Sequence, residues 1–121
     1  MRRGIGIDME SVHRFCRLKR GKHDAFLRRI YTERELDHCY AVRNPGGRLA
    51  SRFAAKEAVF KALSHLGVNS PDRRSIEIRT GNRGAPTVYL TLSGRRRPLV
   101  SVSLSCSGDQ AMAFAIAESP L

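Results

Sequence analysis

Tryptophan is missing from the 121 residues, cysteine occurs three times, and acidic residues number half the basic ones, 11 against 22. Each shortage excludes something. Cys16, Cys39 and Cys106 are odd in number, far apart and in no C-x-x-C spacing. Neither a disulfide framework nor a zinc site is supported, and a reducing compartment is expected. No apolar run approaches the roughly 18 residues of a membrane span, and Met1-Arg2-Arg3-Gly4-Ile5-Gly6 passes straight into a strand pattern, unlike a secretory leader. A soluble, cytoplasmic protein with no membrane contact is expected. The length suits one domain, residues 1–121, with a single core.

The scarcity of acid leaves a formal net charge of +11, carried mostly by arginine. Such an excess steers anions toward the chain at some cost in self-repulsion, and guanidinium groups suit forked pairing with phosphate or carboxylate. Charge alone leaves nucleic acid, acidic protein and phosphorylated cofactor open. No zinc finger, helix-turn-helix or RNA-binding aromatic motif accompanies it, so nucleic acid is not expected.

Apolar and tiny residues alternate from Gly4 to Ile7 and then meet an acid, which predicts a short strand with Asp8 at its C-terminal end. Val12, Phe15, Cys16 and Leu18 then recur at helical spacing over Ser11 to Lys19, leaving a basic exposed face that Gly21 ends. A short helix is predicted over Asp24 to Tyr31, and Thr32-Glu33-Arg34-Glu35 opens another with a capping box. Arg48 to Ser64 is the longest helical stretch, rich in Ala and free of Gly and Pro. Beyond the turn signals at Gly67 and Asn69-Ser70-Pro71-Asp72, four strands are predicted: Ser75 to Arg79, Thr87 to Leu92, Leu99 to Ser105 and Ala111 to Ala117. A strand, a run of helices and four further strands argue for an α+β fold, a mainly antiparallel sheet with the long central helix packed on it.

On a helical wheel Leu49, Ala50, Phe53, Ala54 and Phe60 span one face, and Glu57 falls among them. A carboxylate there needs a partner. Lys61, one turn on, would supply the simplest one. The alternative is an acid turned to a cleft between this helix and the strand holding Asp8. Two carboxylates on separate rigid elements are a common way to hold Mg²⁺, which takes few protein oxygens and fills its octahedron with water and phosphate. Arg48, Arg52, Lys56 and Lys61 on the same helix add phosphate-neutralising charge.

The wording of two segments is more specific. Gly4-Ile5-Gly6-Ile7-Asp8 through Arg14-Phe15 resembles the G-x-D-[IL]-x-x-x-x-R-[FIL] signature of the acyl-carrier-protein-synthase type of 4'-phosphopantetheinyl transferases. Arg48-Leu49-Ala50-Ser51-Arg52-Phe53-Ala54-Ala55-Lys56-Glu57-Ala58-Val59-Phe60-Lys61-Ala62 resembles that family's R-x-A-x-R-[FW]-[AS]-x-K-E-[AS]-x-x-K-A. Tyr31-Thr32-x-x-Glu35, Ser75 to Ile78 with Gly84-Ala85-Pro86, and Val100 to Ser105 extend the likeness over nearly the whole chain. The resemblance implies transfer of 4'-phosphopantetheine from coenzyme A to a serine of an apo acyl carrier protein, with release of adenosine 3',5'-bisphosphate. A trimer, with the coenzyme in clefts between subunits, is implied as well.

Carried over residue by residue, the resemblance makes Asp8 and Glu57 the Mg²⁺ ligands. Lys61 becomes the cation on the phosphates and the departing oxygen. Arg48, Arg52, Ser64 and Ser105 join Lys61 in binding coenzyme A. Glu57, or a water near Asp8, is implied as the base for the carrier serine, with Glu35 a weaker candidate. Arg14, Arg17, Lys19 and Arg20, with Lys22 beside them, would dock the acidic carrier.

Three departures stand out. Cys106 occupies the usual place of a histidine and is expected to be buried and inert. Ser64 and His65 interrupt a stretch that is usually glycine-rich. Gly94-Arg95-Arg96-Arg97-Pro98 leaves room only for a turn where the family has a helix. These departures allow an alternative, a weakened relative that binds carrier or coenzyme without efficient transfer.

Overall fold

The computed structural model describes residues 1–69, 72–92 and 97–119. Its organising element is α4, Gly46–His65. Small residues repeat along it, and Ala54, Ala55, Ala58 and Ala62 are wholly buried with Leu49, Val59 and Leu63. Alanine favours the helix and lets a neighbouring backbone come close.

The neighbour is β1, Arg2–Ser11, lying across α4. Gly4, Gly6 and Asp8 share the strand face toward the helix, because side chains alternate. A Cβ on Gly6 would lie 1.9 Å from the Ala58 carbonyl oxygen, and one on Gly4 2.1 Å from that of Ala62. Those two glycines set how near Asp8 comes to the helix. The sheet order is β1-β5-β4, all antiparallel, with β4 Leu99–Ser107 and β5 Gln110–Ser119. Ala111, Ala113, Ala115 and Ala117 of β5 are buried on the helix side.

A separate hairpin, β2 Ile76–Thr80 with β3 Pro86–Leu90, packs Ile76 and Ile78 into the same core. A second cluster lies under α1 Val12–Phe15, α2 Asp24–Ile30 and α3 Glu33–Tyr40, where Phe15 and Phe53 rings sit 5.4 Å apart. The capping box of α3 forms as predicted: Thr32 Oγ1 accepts from Glu35 N at 3.2 Å, and Glu35 Oε1 accepts from Thr32 N at 2.8 Å.

The structure corrects the sequence reading in four places. β1 runs three residues past Asp8, because pairing with β5 continues to Ser11 opposite Gln110. The helix expected over Ser11 to Lys19 shrinks to Val12–Phe15, so of the four proposed docking cations only Arg14 is helical. The sheet divides into three strands and two. The buried side of α4 is also far broader than one stripe, since β1, β5, the hairpin and the small helices all pack on it. The turn at Ser70-Pro71 and the Gly94 to Arg96 part of the shortened segment lie outside the described residues.

Among the described residues, nothing covers the outer face of the three-stranded sheet. Ile5, Ile7, Met9, Met112 and Phe114 stand 37–55% exposed on it, in cross-strand register. Among the described residues, no helix is long and apolar enough to cross a membrane.

Candidate active site

Asp8 is placed by β1, and Glu57 and Lys61 by one turn of α4. The strand crosses the helix here, so Asp8 and Lys61 meet, with Glu57 one turn earlier on the same helix. Lys61 Nζ donates to the Ile7 carbonyl at 2.9 Å and to Asp8 Oδ1 at 3.3 Å. One turn further, His65 Nδ1 accepts from Ile5 N at 3.1 Å. Two helix side chains four residues apart thus cap backbone groups of β1, an edge strand, beside the site.

The pairing expected between Glu57 and Lys61 is not made. Glu57 instead receives the fork of Arg73, with Nε 2.6 Å from Oε1 and Nη2 3.2 Å from Oε2. The guanidinium lies 3.8 Å over the Phe60 ring. Arg73 belongs to a 3₁₀ turn, Arg73–Ser75, whose backbone is held from beneath. Lys56, fully buried, donates to the Arg73 carbonyl at 3.0 Å, to the Ile76 carbonyl at 2.5 Å and to Glu35 Oε1 at 2.7 Å. Burial pulls the Lys56 ammonium below its usual pKa, against the opposing pull of Glu35.

The Glu35 carboxylate is occupied on both oxygens, since Oε2 accepts from Ile78 N at 2.9 Å. That removes Glu35 from the candidate bases: it is 1% exposed and fixes α3, α4 and β2 to one another. A buried pair whose remaining valences are all met holds geometry, which is its role here.

Arg48 and Arg52 do not join Asp8 and Glu57 within one chain. Nine residues separate Arg48 from Glu57, half a revolution on the helix at about 100° per residue. Arg48 Nη1 donates to the His38 carbonyl at 2.7 Å, and Arg52, 6% exposed, donates to Thr80 Oγ1. Burial lowers the Arg52 pKa, and its Nε has no partner among the described residues. Arg52 lines a second cleft of about 160 Å³ with Arg34, His38, Ile78, Arg79 and Thr80. Burial, then Arg52 and Arg48, lower the His38 pKa, so that cleft is already rich in positive charge.

Ser64 shares the Glu57–Lys61 side of α4 and is exposed. Ser105 pairs with Met112, itself opposite Met9, which puts it on the sheet face away from Asp8. Cys106 is exposed, with Sγ 3.3 Å from Ser51 Oγ, which corrects the expectation of a buried thiol; the edge strand β4 leaves it open near its end. Among the docking candidates, Arg14 contacts Glu10 at 3.6 Å, and Arg20 is committed to Glu33 at 3.1 Å and Asp37 at 2.8 Å. Arg17, Lys19 and Lys22 are exposed, with no ion pair among the described residues.

Sequence reasoning missed two members of the site. Arg73 reaches Glu57 from 16 residues away, through a tertiary contact that no local pattern announces. Glu10 lies two residues beyond Asp8 on the same strand face, and ending the strand at Asp8 hid it. Burial first, then the neighbouring Asp8 carboxylate, push the Glu10 carboxyl up to about 7.

The donor set fits a hard divalent cation. Asp8 Oδ2 is buried and has no hydrogen-bond partner. Among the described residues, no three His, Cys, Asp or Glu side chains are grouped to enclose a metal.

Known proteins resemble this chain over nearly its whole length. Residues 4–115 match the family profile described as the 4'-phosphopantetheinyl transferase superfamily. The chain is 44% identical to a holo-[acyl-carrier-protein] synthase of Desulforudis audaxviator, covering 97% of this chain and 93% of that one. It superposes on the acyl carrier protein synthase of Mycobacterium tuberculosis with TM-score 0.71, 34% identity and 97% coverage of each chain. A holo-(acyl-carrier-protein) synthase of Bacillus anthracis in complex with coenzyme A matches with TM-score 0.73 at 30% identity, over 96% of each chain.

Proposed function

This chain belongs to the 4'-phosphopantetheinyl transferase superfamily, and we propose that it does so as a magnesium-dependent holo-[acyl-carrier-protein] synthase working in the cytoplasm as a homotrimer. It transfers 4'-phosphopantetheine from coenzyme A to a serine of an apo acyl carrier protein and releases adenosine 3',5'-bisphosphate. The observation that carries the metal assignment is the buried, unpartnered Asp8 Oδ2, in a carboxylate that Lys61 contacts at its other oxygen.

Asp8 and Glu57 would hold the cation, which supplies charge neutralisation for the pyrophosphate as displacement proceeds. Lys61, held at Asp8 by its bond to the Ile7 carbonyl, keeps an ammonium where the bridging oxygen departs. Its Nζ is the proton donor, or the neutralising charge, for the leaving 3',5'-ADP. The attacking serine loses its proton to Glu57 or to a water beside Asp8. Such a reaction is accelerated mainly by position and electrostatics, which suits a site built from a helix and a strand locked together.

The second cleft, with Arg34, Arg52 and Arg79, offers charge for the nucleotide end of coenzyme A. It is half a helix turn away from Glu57 within one chain. A trimer that buries Ile5, Ile7, Met9, Met112 and Phe114 against a neighbour would bring Ser105, on that same face, to the interface. An uncovered apolar face in register supports that assembly. Exposed Arg17, Lys19 and Lys22, with Arg14, face an acidic carrier, chiefly raising its association rate. The intact Asp8, Glu57 and Lys61 constellation favours a working enzyme over a binding-only relative.

The test is an incubation with coenzyme A, Mg²⁺ and an apo acyl carrier protein, read by intact mass. Gain of one phosphopantetheine on the carrier is expected; no gain with any of several carriers would sink the reading.

A further inference from the structure

Each of the two proposed metal ligands has an internal cation. Asp8 has Lys61 and Glu57 has Arg73. The two pairs differ in kind. Lys61 touches Asp8 at a single oxygen, at 3.3 Å, and leaves Oδ2 without a partner. Arg73 takes both oxygens of Glu57, which are the atoms a cation at that position would use.

Arg73 is also tethered. Its carbonyl is fixed by buried Lys56, and its guanidinium rests on the Phe60 ring. If the fork is displaced from Glu57, the backbone cannot carry it away, and the aromatic face still holds it nearby. A guanidinium so freed beside the site has forked geometry suited to phosphate oxygens.

We propose that Arg73 is a resident counter-cation of Glu57 that the metal displaces, and that the displaced guanidinium then binds the pyrophosphate of coenzyme A. The proposal rests on Glu57 being a metal ligand. Arg73 then serves the site twice. In the free enzyme it neutralises a half-buried carboxylate and sets the metal concentration needed for loading. In the loaded enzyme it adds positive charge toward the phosphates, so metal and coenzyme help one another bind. Metal entry breaks a forked, partly shielded ion pair, and that cost weakens metal binding in the free enzyme.

The experiment measures Mn²⁺ binding by electron paramagnetic resonance and coenzyme A binding by calorimetry at saturating Mg²⁺. The proteins are the wild type, Arg73→Gln, Arg73→Lys and Glu57→Gln. Arg73→Gln is expected to bind Mn²⁺ roughly threefold to tenfold more tightly, the range for losing one such pair. The same variant should bind coenzyme A more weakly by a similar factor, roughly threefold to tenfold. Arg73→Lys, which keeps the charge without the fork, falls between in both.

Shifts of opposite sign are the mark of the role, because a merely disordered site weakens both ligands. Mn²⁺ affinity in Arg73→Gln that is unchanged or lower overturns the proposal, and so does unchanged coenzyme affinity. If Glu57→Gln binds Mn²⁺ as well as the wild type does, the metal assignment of Glu57 fails instead. Circular dichroism of the variants guards against misfolding. Should Arg73→Gln unfold, the folded Arg73→Lys protein decides by the same two signs.

Discussion

Replacing Gly6 by alanine tests the way β1 delivers Asp8 to the helix. The added methyl carbon would stand 1.9 Å from the Ala58 carbonyl oxygen, 2.8 Å from Ala62 N and 2.9 Å from the Ala58 carbonyl carbon. All three are backbone atoms of α4, so no side chain can swing away. Ordinary contact begins near 3.4 Å, so strand and helix would have to separate by roughly 1.5 Å at Gly6. Overpacking a tight interface costs about 1–3 kcal/mol and sometimes more, and this contact belongs at the upper end. For a chain of this size about 3 kcal/mol corresponds to a melting-temperature drop of roughly 10 °C. Asp8 lies two residues further on the same strand face, so Lys61 should lose its 3.3 Å contact as well. Scanning calorimetry of Gly6→Ala, with Mn²⁺ binding measured on the folded fraction, reads both effects. A melting temperature within about 2 °C of wild type, with unchanged metal affinity, would refute the close-packed seating of β1 on α4.

Further outcomes follow from the same geometry. Cys39 is wholly buried and its thiol is pushed up to about 12, largely by burial, so a thiol reagent at pH 8 should modify Cys16 and Cys106 but spare Cys39 until the chain unfolds. Peptide mapping checks this, and modification of Cys39 in the native state would contradict the core assignment. Glu10 has a folded pKa of about 7 against an ordinary value of 4.5, so the folded chain holds that proton more tightly than the unfolded one. Its contribution is fully present below pH 4.5 and is lost as pH rises through about 7. Glu10→Gln should therefore be more stable than wild type at pH 8, by ~1 kcal/mol after allowance for solvent screening, and lose that advantage by pH 4. Urea denaturation at the two pH values measures it; equal stability at pH 8 would place Glu10 in solvent. Arg17→Ala with Lys19→Ala should raise the KM for the carrier several-fold and flatten its salt dependence, while leaving the KM for coenzyme A in place. A rise in the coenzyme KM instead would move those cations from the docking face to the active site.

How far the sequence reveals the site depends on which residues are local to one element. Asp8, Glu57 and Lys61 stand out in the sequence because β1 and α4 carry strong periodic patterns, and an acid among apolar positions demands a partner. The identity of that partner was not legible. Arg73 lies in a 3₁₀ turn beyond the helix, and only the Lys56–Glu35 knot brings it back onto Glu57. The helical wheel already separated Arg48 and Arg52 from Glu57, yet grouping them by charge obscured that separation. The end of β1 was misplaced because Met9-Glu10-Ser11 carry no strong strand propensity, and pairing with β5 supplies what local preference lacks. Cys106 is open because β4 lies at the sheet edge and the thiol stands near the end of that strand, which no local pattern around Ser105-Cys106-Ser107 reveals.

The central claim is that Asp8 and Glu57 together hold the cation on which transfer depends. The most direct measurement is the rate of phosphopantetheine transfer to an apo acyl carrier protein as a function of Mg²⁺, followed by intact mass for wild type, Asp8→Asn and Glu57→Gln. Transfer that needs Mg²⁺ in the wild type, and is lost in either variant even at saturating Mg²⁺, is the predicted result. Transfer that persists in a chelator, or a near-normal rate in either variant, would contradict it.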